Sequence, residues 1–353
     1  MKKTPSGLSV PVIVTTFALM SNDPDNRNEQ RKQWFLNHPE LTVKPSMKRR
    51  MVGHDYRSIV VYMVTLCIEG RLPLLGTLHG SDDYHVLPWV RLTQLGRDVK
   101  QTWLKIPQYH PEVKLLALQP MPDHIHGIIH VTRPMKCHLG RVIQGFKKGC
   151  FDIWHSNDDD SKFSSSLWEE GYNDRILHDN GQLNRWFKYL TDNPRRLWIK
   201  RNSPDLFTQH TGITIGSTPG TTMGNRFLLD YPVKVNVKCS RSLSQRDIEV
   251  ECHRYLSLAS RGSVLVSPCI SPGEKEVMKR AFEASFPIII LIENGFAPLQ
   301  KPSGRQFDAC AQGRLLIIAP WPHHDEKRRI TREQCNSLNS LAHLISNDEW
   351  HST

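Results

Sequence analysis

The chain has 353 residues, 39% of them hydrophobic, and a formal net charge of +11. That length suits two domains able to bury their own cores without disulfides; the eight cysteines form no CxxC pair, against a zinc ribbon, and no stretch approaches the roughly 20 apolar residues of a bilayer span. The excess of Lys and Arg points to a polyanion, nucleic acid first, because phosphate contacts release counterions; a basic but unspecialised surface is the alternative.

Residues 1–45 are rich in Asn, Asp, Gln and Pro and read as a partly disordered extension. Val10 to Met20 is apolar but short, with no small-residue cleavage pattern, so no signal peptide is expected. Lys48, Arg49 and Arg50 follow, a solvated run or a phosphate contact. Ile59 to Glu69 has strand composition, and Val90 to Lys105 carries a helical pattern. Val113 to Leu118 and Ile125 to Val131 read as strands, His138 to Phe151 as a helix, and 155–166 as an Asp/Ser-rich loop. Leu183 to Asp192 is a helix expected to stop at Asn193-Pro194, since the residue before proline is disfavoured in the α region. Residues 201–225, with many Gly, Thr, Ser and Pro, read as a linker.

Beyond it the pattern alternates: Val233 to Val237 strand, Gln245 to Ser260 helix, Ser263 to Val266 strand, Glu274 to Ala284 helix, Pro287 to Ile292 strand, with a further strand at Gly313 to Ile318. Strands alternating with helices predict a parallel, Rossmann-like sheet. The expected fold is therefore α+β over 46–200, followed by an α/β domain over 226–345. The scattered cysteines fit buried small hydrophobes in a reduced cytoplasm, and a polyanion-binding chain there would associate with the nucleoid.

Two patterns carry chemistry. Met121-Pro122-Asp123-His124-Ile125-His126-Gly127 opens a strand, and residues two apart share a face, so His124 and His126 present two imidazoles that suit one divalent metal. The other reading of an HxH is two half-exposed histidines on an edge strand. Trp186, Tyr189, Leu190 and Asn193 share one helical face, with Tyr189 one turn before Asn193. This pairs a possible tyrosine nucleophile with a carboxamide able to complete a metal shell; a core aromatic is the alternative for Tyr189. Lys147, Lys148, Arg195 and Arg196 flank these elements as candidate DNA-backbone contacts or as a solvated basic face. Trp186 and Trp198 are aromatics that could stack bases, Trp186 fitting the core better.

The combination is the layout of single-tyrosine HUH endonucleases. Val64-Thr65-Leu66, Met121 to His126, Leu139-Gly140 with Phe146-Lys147, Gly171-Tyr172-Asn173-Asp174-Arg175, and Tyr189-Leu190 with Asn193-Pro194 resemble the REP-associated tyrosine (Y1) transposases over roughly residues 50–200. That family often has Asn where Asp123 stands. The resemblance implies an antiparallel HUH-type sheet, with His124, His126 and Asn193 as ligands of Mg²⁺ or Mn²⁺ and Tyr189 as nucleophile. It also implies a 5′-phosphotyrosine intermediate and a single-stranded or hairpin DNA substrate. Tyr172 is the competing tyrosine, expected to be structural or DNA-contacting. A DNA-binding protein without turnover and a replication or mobilisation initiator are the other readings. The oligomeric state stays open.

The C-terminal part resembles the Rossmann-like domain of DNA-processing protein A, a single-strand DNA binder, through Val235 to Val237 leading into Ser240-Arg241 and Ser263 to Val266 leading into Ser267 to Glu274. A Pro-containing loop replaces that family's Gly-rich one. Ser240, Arg241, Ser271 and Gly273 are candidate phosphate contacts at a strand end and helix start. Nucleotide binding and a purely structural domain are the alternatives.

Overall fold

The computed structural model describes residues 50–51, 53–81, 86–156, 166–179, 181–326 and 328–352. The expected extension 1–45, Lys48, Arg49 and most of the 155–166 loop lie outside them. The chain divides into two compact units, Met1–Trp198 and Ile199–Thr353. It is a mixed α+β protein. Among the described residues no helix is long and apolar enough to cross a membrane.

In the first unit, β1 (Val61–Cys67) is followed by a two-stranded ribbon, β2 (Gly76–His79) with β3 (Trp89–Leu92). Then come α1 (Gln94–Leu104), the short α2 (Ile106–Tyr109), β4 (Val113–Pro120), β5 (His124–Val131), α3 (Leu139–Ser156), β6 (Asn173–Ile176) and α4 (Gln182–Asn202), whose residues from Ile199 on are counted with the second unit. The main sheet has the order β4-β5-β1-β6 and is antiparallel throughout. Both its faces are covered, which explains the apolar runs in β1 and β5. Tyr62, Val64 and Leu66 point with Ile125 and Ile129 towards Val99 and Trp103 of α1 and Val142 and Phe146 of α3. Val61, Met63 and Ile128 point the other way, to Trp186 and Leu190 of α4.

Gly127 governs how closely α1 approaches. Trp103 is fully buried, edge-on to Phe146 at 5.2 Å, and a Cβ built on Gly127 would lie 2.2 Å from its indole. The glycine after the histidine pair is therefore a packing residue, fixing the sheet against its helices.

In the second unit, β7 (His210–Ile215), β8 (Thr218–Gly224), β9 (Lys234–Asn236), β10 (Val264–Ser267), β11 (Ile288–Leu291), β12 (Leu315–Ala319) and β13 (Trp350–Ser352) form one sheet of order β13-β7-β8-β12-β11-β10-β9. Strands β9 to β12 are parallel, whereas β8, β7 and β13 add antiparallel pairings. Leu265, Ile288 and Ile317 pack with α5 (Gln245–Ser260), α6 (Pro272–Glu283) and α7 (Gly304–Ala311). Val264, Val266, Ile289 and Ile318 pack with α8 (Arg332–Ser346). The ammonium of Lys234, a fully buried side chain, donates to Tyr231 O and to Asp348 Oδ1, tying β9 to the turn before β13.

Four expectations are corrected. The stretch 201–225 is not a linker: it holds the β7–β8 hairpin, closed by the two residues Gly216 and Ser217, and its β-branched Thr and Ile pair into the sheet. The second sheet is mixed rather than wholly parallel, and β13 carries it past residue 345. Val90 and Leu92 belong to β3; Thr93, whose side chain accepts from Gly96 N, caps α1 instead. Finally, α4 runs through Pro194 to Asn202. Asp192 bridges the proline turn, accepting from Arg195 Nε at 2.5 Å with Arg196 Nη1 at 3.8 Å, and Pro194 itself is buried. Ion pairs at i,i+3 and i,i+4 together with burial hold the helix across its missing hydrogen bond.

Gly127→Ala would push a methyl into the Trp103 indole and cost about 1–3 kcal/mol of stability, as overpacking does. Urea unfolding should show a lower midpoint at an unchanged slope. An unaltered midpoint would mean that the indole has room to retreat.

Candidate active site

Strand β5 brings His124 and His126 to the face covered by α4, where their Nε2 atoms lie 3.2 Å apart with the rings edge-on. Each ring is anchored from behind. His124 Nδ1 donates to Asp123 Oδ1 at 2.6 Å, and the other carboxylate oxygen of Asp123 lies 3.2 Å from Arg71 Nε. His126 Nδ1 lies 2.8 Å from Thr65 Oγ1, on the β1 residue paired with it. Because a carboxylate only accepts, His124 must carry its proton on Nδ1, leaving the Nε2 lone pair facing His126.

Burial is the main cause that pushes the His126 pKa down to about 3, and the nearby His124, Arg175 and Arg71 add to it. The ring is neutral near pH 7, as a metal ligand must be. Burial would raise the Asp123 carboxyl, but its hydrogen bond to His124, with the charges of His124 and Arg71, leaves it below the usual carboxylate value.

The pair fits a cation. Two nitrogens each about 2.1 Å from one ion, at angles between octahedral and tetrahedral, are about 3.0–3.4 Å apart, and the observed 3.2 Å lies in that range. The Thr65 hydroxyl can serve two states. Donating to His126 Nδ1, it lets His126 Nε2–H bond to His124; rotated to accept, it leaves both Nε2 lone pairs converging. Among the described residues no group of three or more His, Cys, Asp or Glu could hold a metal. A third protein ligand would therefore have to be of another type. Asn193 is such a residue: it is buried on α4, and among the described residues its Nδ2 has no hydrogen-bond partner. An amide flip would place an acceptor there instead.

Tyr189 stands one turn before Asn193, half-exposed, its ring centroid 5.5 Å from that of His126. The competing Tyr172 is elsewhere. It is buried in the core that packs with α1 and α3, with the Arg50 guanidinium 3.4 Å over its ring, and burial pushes its hydroxyl up to about 12. Arg50 also pairs with Asp174, so this member of the basic run is a structural cation.

The structure does not gather the other expected cations at the site. Lys147 donates from Nζ to Glu169 O at 2.6 Å and Gly171 O at 2.5 Å, holding the turn before β6. Lys148 is exposed on α3. Arg195 and Arg196 are bound by Asp192. Trp186 is core, and Trp198 packs on Gly80.

In the second unit Ser271 caps α6, accepting from Glu274 N at 3.1 Å, and Gly273 lies buried in the first turn. The Glu274 side chain occupies the expected phosphate cradle: its carboxylate accepts from Ile270 N at 2.8 Å, Ser271 N at 3.1 Å and Cys239 N at 3.4 Å. An internal anion already takes these amides and would repel a phosphate. Ser240 bonds Ser242, and Arg241 reaches Cys335 Sγ.

Sequence reasoning missed the supporting roles of Thr65, Asp123, Arg71 and Arg175. Asp123 was signalled by adjacency to His124. Thr65 and Arg175 become visible only once β1 pairs with both β5 and β6, setting Thr65 opposite His126 and Asn173.

No family model matches the chain. A Haemophilus influenzae protein of uncharacterised function is 26% identical over 165 residues, covering 41% of this chain and 86% of that protein. Among solved structures, a REP-associated tyrosine transposase bound to a REP hairpin is similar with TM-score 0.29 and 13% identity, over 44% of this chain and 74% of that one. A transposase-like protein of Deinococcus radiodurans R1 matches with TM-score 0.26 and 15% identity, over 41% of this chain and 98% of that one. DNA processing protein A from Helicobacter pylori, described with its single-stranded DNA binding mode, matches with TM-score 0.27 and 17% identity, over 36% of this chain and 57% of that one. These likenesses are partial, so function rests on the site geometry.

Because His126 is held below its ordinary value, the unfolded chain binds a proton that the folded chain refuses between about pH 6.5 and 3. Its contribution to stability is unfavourable and grows as pH falls through that window, so metal-free protein should lose up to a few kcal/mol there. His126→Gln should flatten this part of the stability–pH curve in thermal melts. An equally steep curve in the variant would place the proton uptake elsewhere.

Proposed function

We propose that this chain is a metal-dependent single-stranded DNA endonuclease and strand transferase of the single-tyrosine HUH type. The observation that carries the reading is the convergence of His124 and His126 Nε2 atoms beside Tyr189, with the buried Asn193 amide one turn further on the same helix. Single-stranded or hairpin DNA is the proposed substrate, in keeping with the net charge of +11.

A Mg²⁺ or Mn²⁺ ion held by His124, His126 and the Asn193 carboxamide would polarise the scissile phosphate and offset the charge that develops on it. His126, kept neutral by burial, and His124, fixed in tautomer by Asp123, would keep their Nε2 lone pairs ready for it. Tyr189, being half-exposed, can reach a backbone lying over the histidines. Its phenol oxygen bonds to phosphorus as the bond from phosphorus to the 3′-oxygen breaks. The phenolic proton goes to solvent, and the departing 3′-oxygen takes one up. This leaves a 5′-phosphotyrosine and a free 3′-hydroxyl, and attack by a 3′-hydroxyl reverses the step, so cleavage and rejoining share one site. Arg175, exposed on β6 and close enough to lower the His126 pKa, is placed to attract the phosphate.

A DNA-binding protein without turnover would not require two imidazoles anchored from behind, and this favours the enzyme. We read the second unit as Rossmann-like on its parallel strands β9 to β12. Any single-strand contact it makes would lie away from the closed loop at Glu274.

Incubation with labelled hairpin or single-stranded oligonucleotides and Mg²⁺ or Mn²⁺ should yield a covalent adduct. Tyr189→Phe keeps the ring and removes the hydroxyl, so it should abolish the adduct while leaving fold and DNA affinity in place. Tyr172→Phe should retain it. His124→Ala or His126→Ala should remove cleavage with most affinity kept, since affinity comes mainly from phosphate contacts. Peptide mapping that finds the DNA on Tyr172, or undiminished cleavage by both histidine variants, would overturn the assignment.

A further inference from the structure

Among the described residues, the β2–β3 ribbon carries a polar and aromatic face that no other element covers. In its register Thr77 pairs with Arg91 and His79 with Trp89, so these four residues lie on one side, while Leu78 pairs with Val90 on the other. Leu78 is buried, whereas Trp89 is 51% exposed. The Trp89 indole is stacked on the His79 ring at 5.0 Å and 20°. The stack holds the Trp89 ring in one orientation with a face open to a flat ligand.

Both ends of the ribbon are rooted in elements of the candidate site. At one end Leu75 N donates to Pro122 O, two residues before His124, and Thr93 N donates to Leu75 O. At the other, a Cβ on Gly80 would lie 2.3 Å from the Trp198 ring, so the glycine lets the ribbon close on α4. Trp198 is nine residues past Tyr189 on that helix, about 14 Å along its axis. On the two strands themselves the charged side chain is Arg91; Asp82 and Asp83 of the connecting segment lie outside the described residues, and Asp98 is one residue past Arg97 in α1. Arg97 is tied to Leu92 O and Gln94, leaving Arg91 as the outward cation beside the stacked rings.

We propose that this outer face, with Trp89 stacked on His79 and Arg91 beside them, is a stacking platform for the single-stranded DNA that flanks the cleaved phosphate. The inference rests on the proposed DNA-cleaving role of the first unit. Trp89 offers its π-face to a base without regard to sequence, and Arg91 meets a neighbouring phosphate. The ribbon thereby positions the strand relative to Tyr189 and takes no part in the bond exchange.

The test is the affinity of the full chain for a fluorescein-labelled single-stranded oligonucleotide, read by anisotropy in a Tyr189→Phe background so that covalent capture does not contribute. Trp89→Ala should weaken binding about tenfold or more, and Trp89→Phe should recover most of it. Arg91→Ala, at an exposed position that leaves the rings in place, should shallow the slope of log affinity against log salt by about 0.7. Thermal melts establish that each variant is folded. Unchanged affinity in both Trp89→Ala and Arg91→Ala would overturn the platform. So would a Trp89→Ala protein that changes its oligomeric state in sizing experiments while binding DNA normally, since the face would then serve self-association. If the parent chain forms no adduct yet its binding still depends on Trp89, the tyrosine chemistry fails and the platform stands.

Discussion

The register between β1 and β5 is the constraint on which the candidate site depends. Thr65 stands opposite His126 in that pairing, and alternation then sends His124, His126 and Ile128 to the α4 side while Ile125, Gly127 and Ile129 face α1 and α3. A slip of one residue would drive both imidazoles into the apolar core with α1 and α3 and turn Ile125 and Ile129 towards α4. The cost of that exchange, together with the fit of Trp103 over Gly127, makes the register unambiguous. The site histidines are held in place by the same packing that makes the sheet stable.

Helix α4 supplies the second half of the site by crossing a proline. Had the chain stopped at Asn193, that residue would be a frayed cap open to water. Continuation to Asn202 buries Asn193 and Pro194 and carries Trp198 onto Gly80. Asp192 is the device that permits this, with two arginines folded back onto one carboxylate across the weakened turn. The basic pair after the tyrosine helix thus reinforces the helix that carries the candidate nucleophile. A buried amide lacking a partner is costly, and among the described residues Asn193 keeps such an orphan one turn past Tyr189, whose ring lies against His126.

The second unit shows an opposite treatment of a helix start. The loop between β10 and α6 has the form of an anion cradle, yet Glu274 folds into it and takes its amides while Ser271 closes the capping box. Three hydrogen bonds to a buried carboxylate rigidify the loop and satisfy the orphan donors of the helix. A strand–loop–helix sequence with Ser and Gly in place is therefore insufficient for phosphate binding when a glutamate at the third helical position can serve as the anion.

Local pattern was enough to find much of this molecule. The HxH alternation put both histidines on one face, and the i, i+4 spacing put Tyr189 and Asn193 together, because strand and helix periods are properties of the backbone that each segment obeys alone. The alternation of strands and helices after residue 233 was legible for the same reason. Other features were invisible because they join residues remote in sequence. Thr65 meets His126 across 61 residues. The β7–β8 hairpin looked like a linker until β12 offered it an edge. Lys147, Arg195 and Arg196 looked like free cations until carbonyls and Asp192 claimed them. By itself the sequence determined which side chains each segment could present together. Tertiary structure decided which of them were used internally and which stayed open to a ligand, because hydrogen-bonding partners and burial are set by elements that meet only when the chain folds.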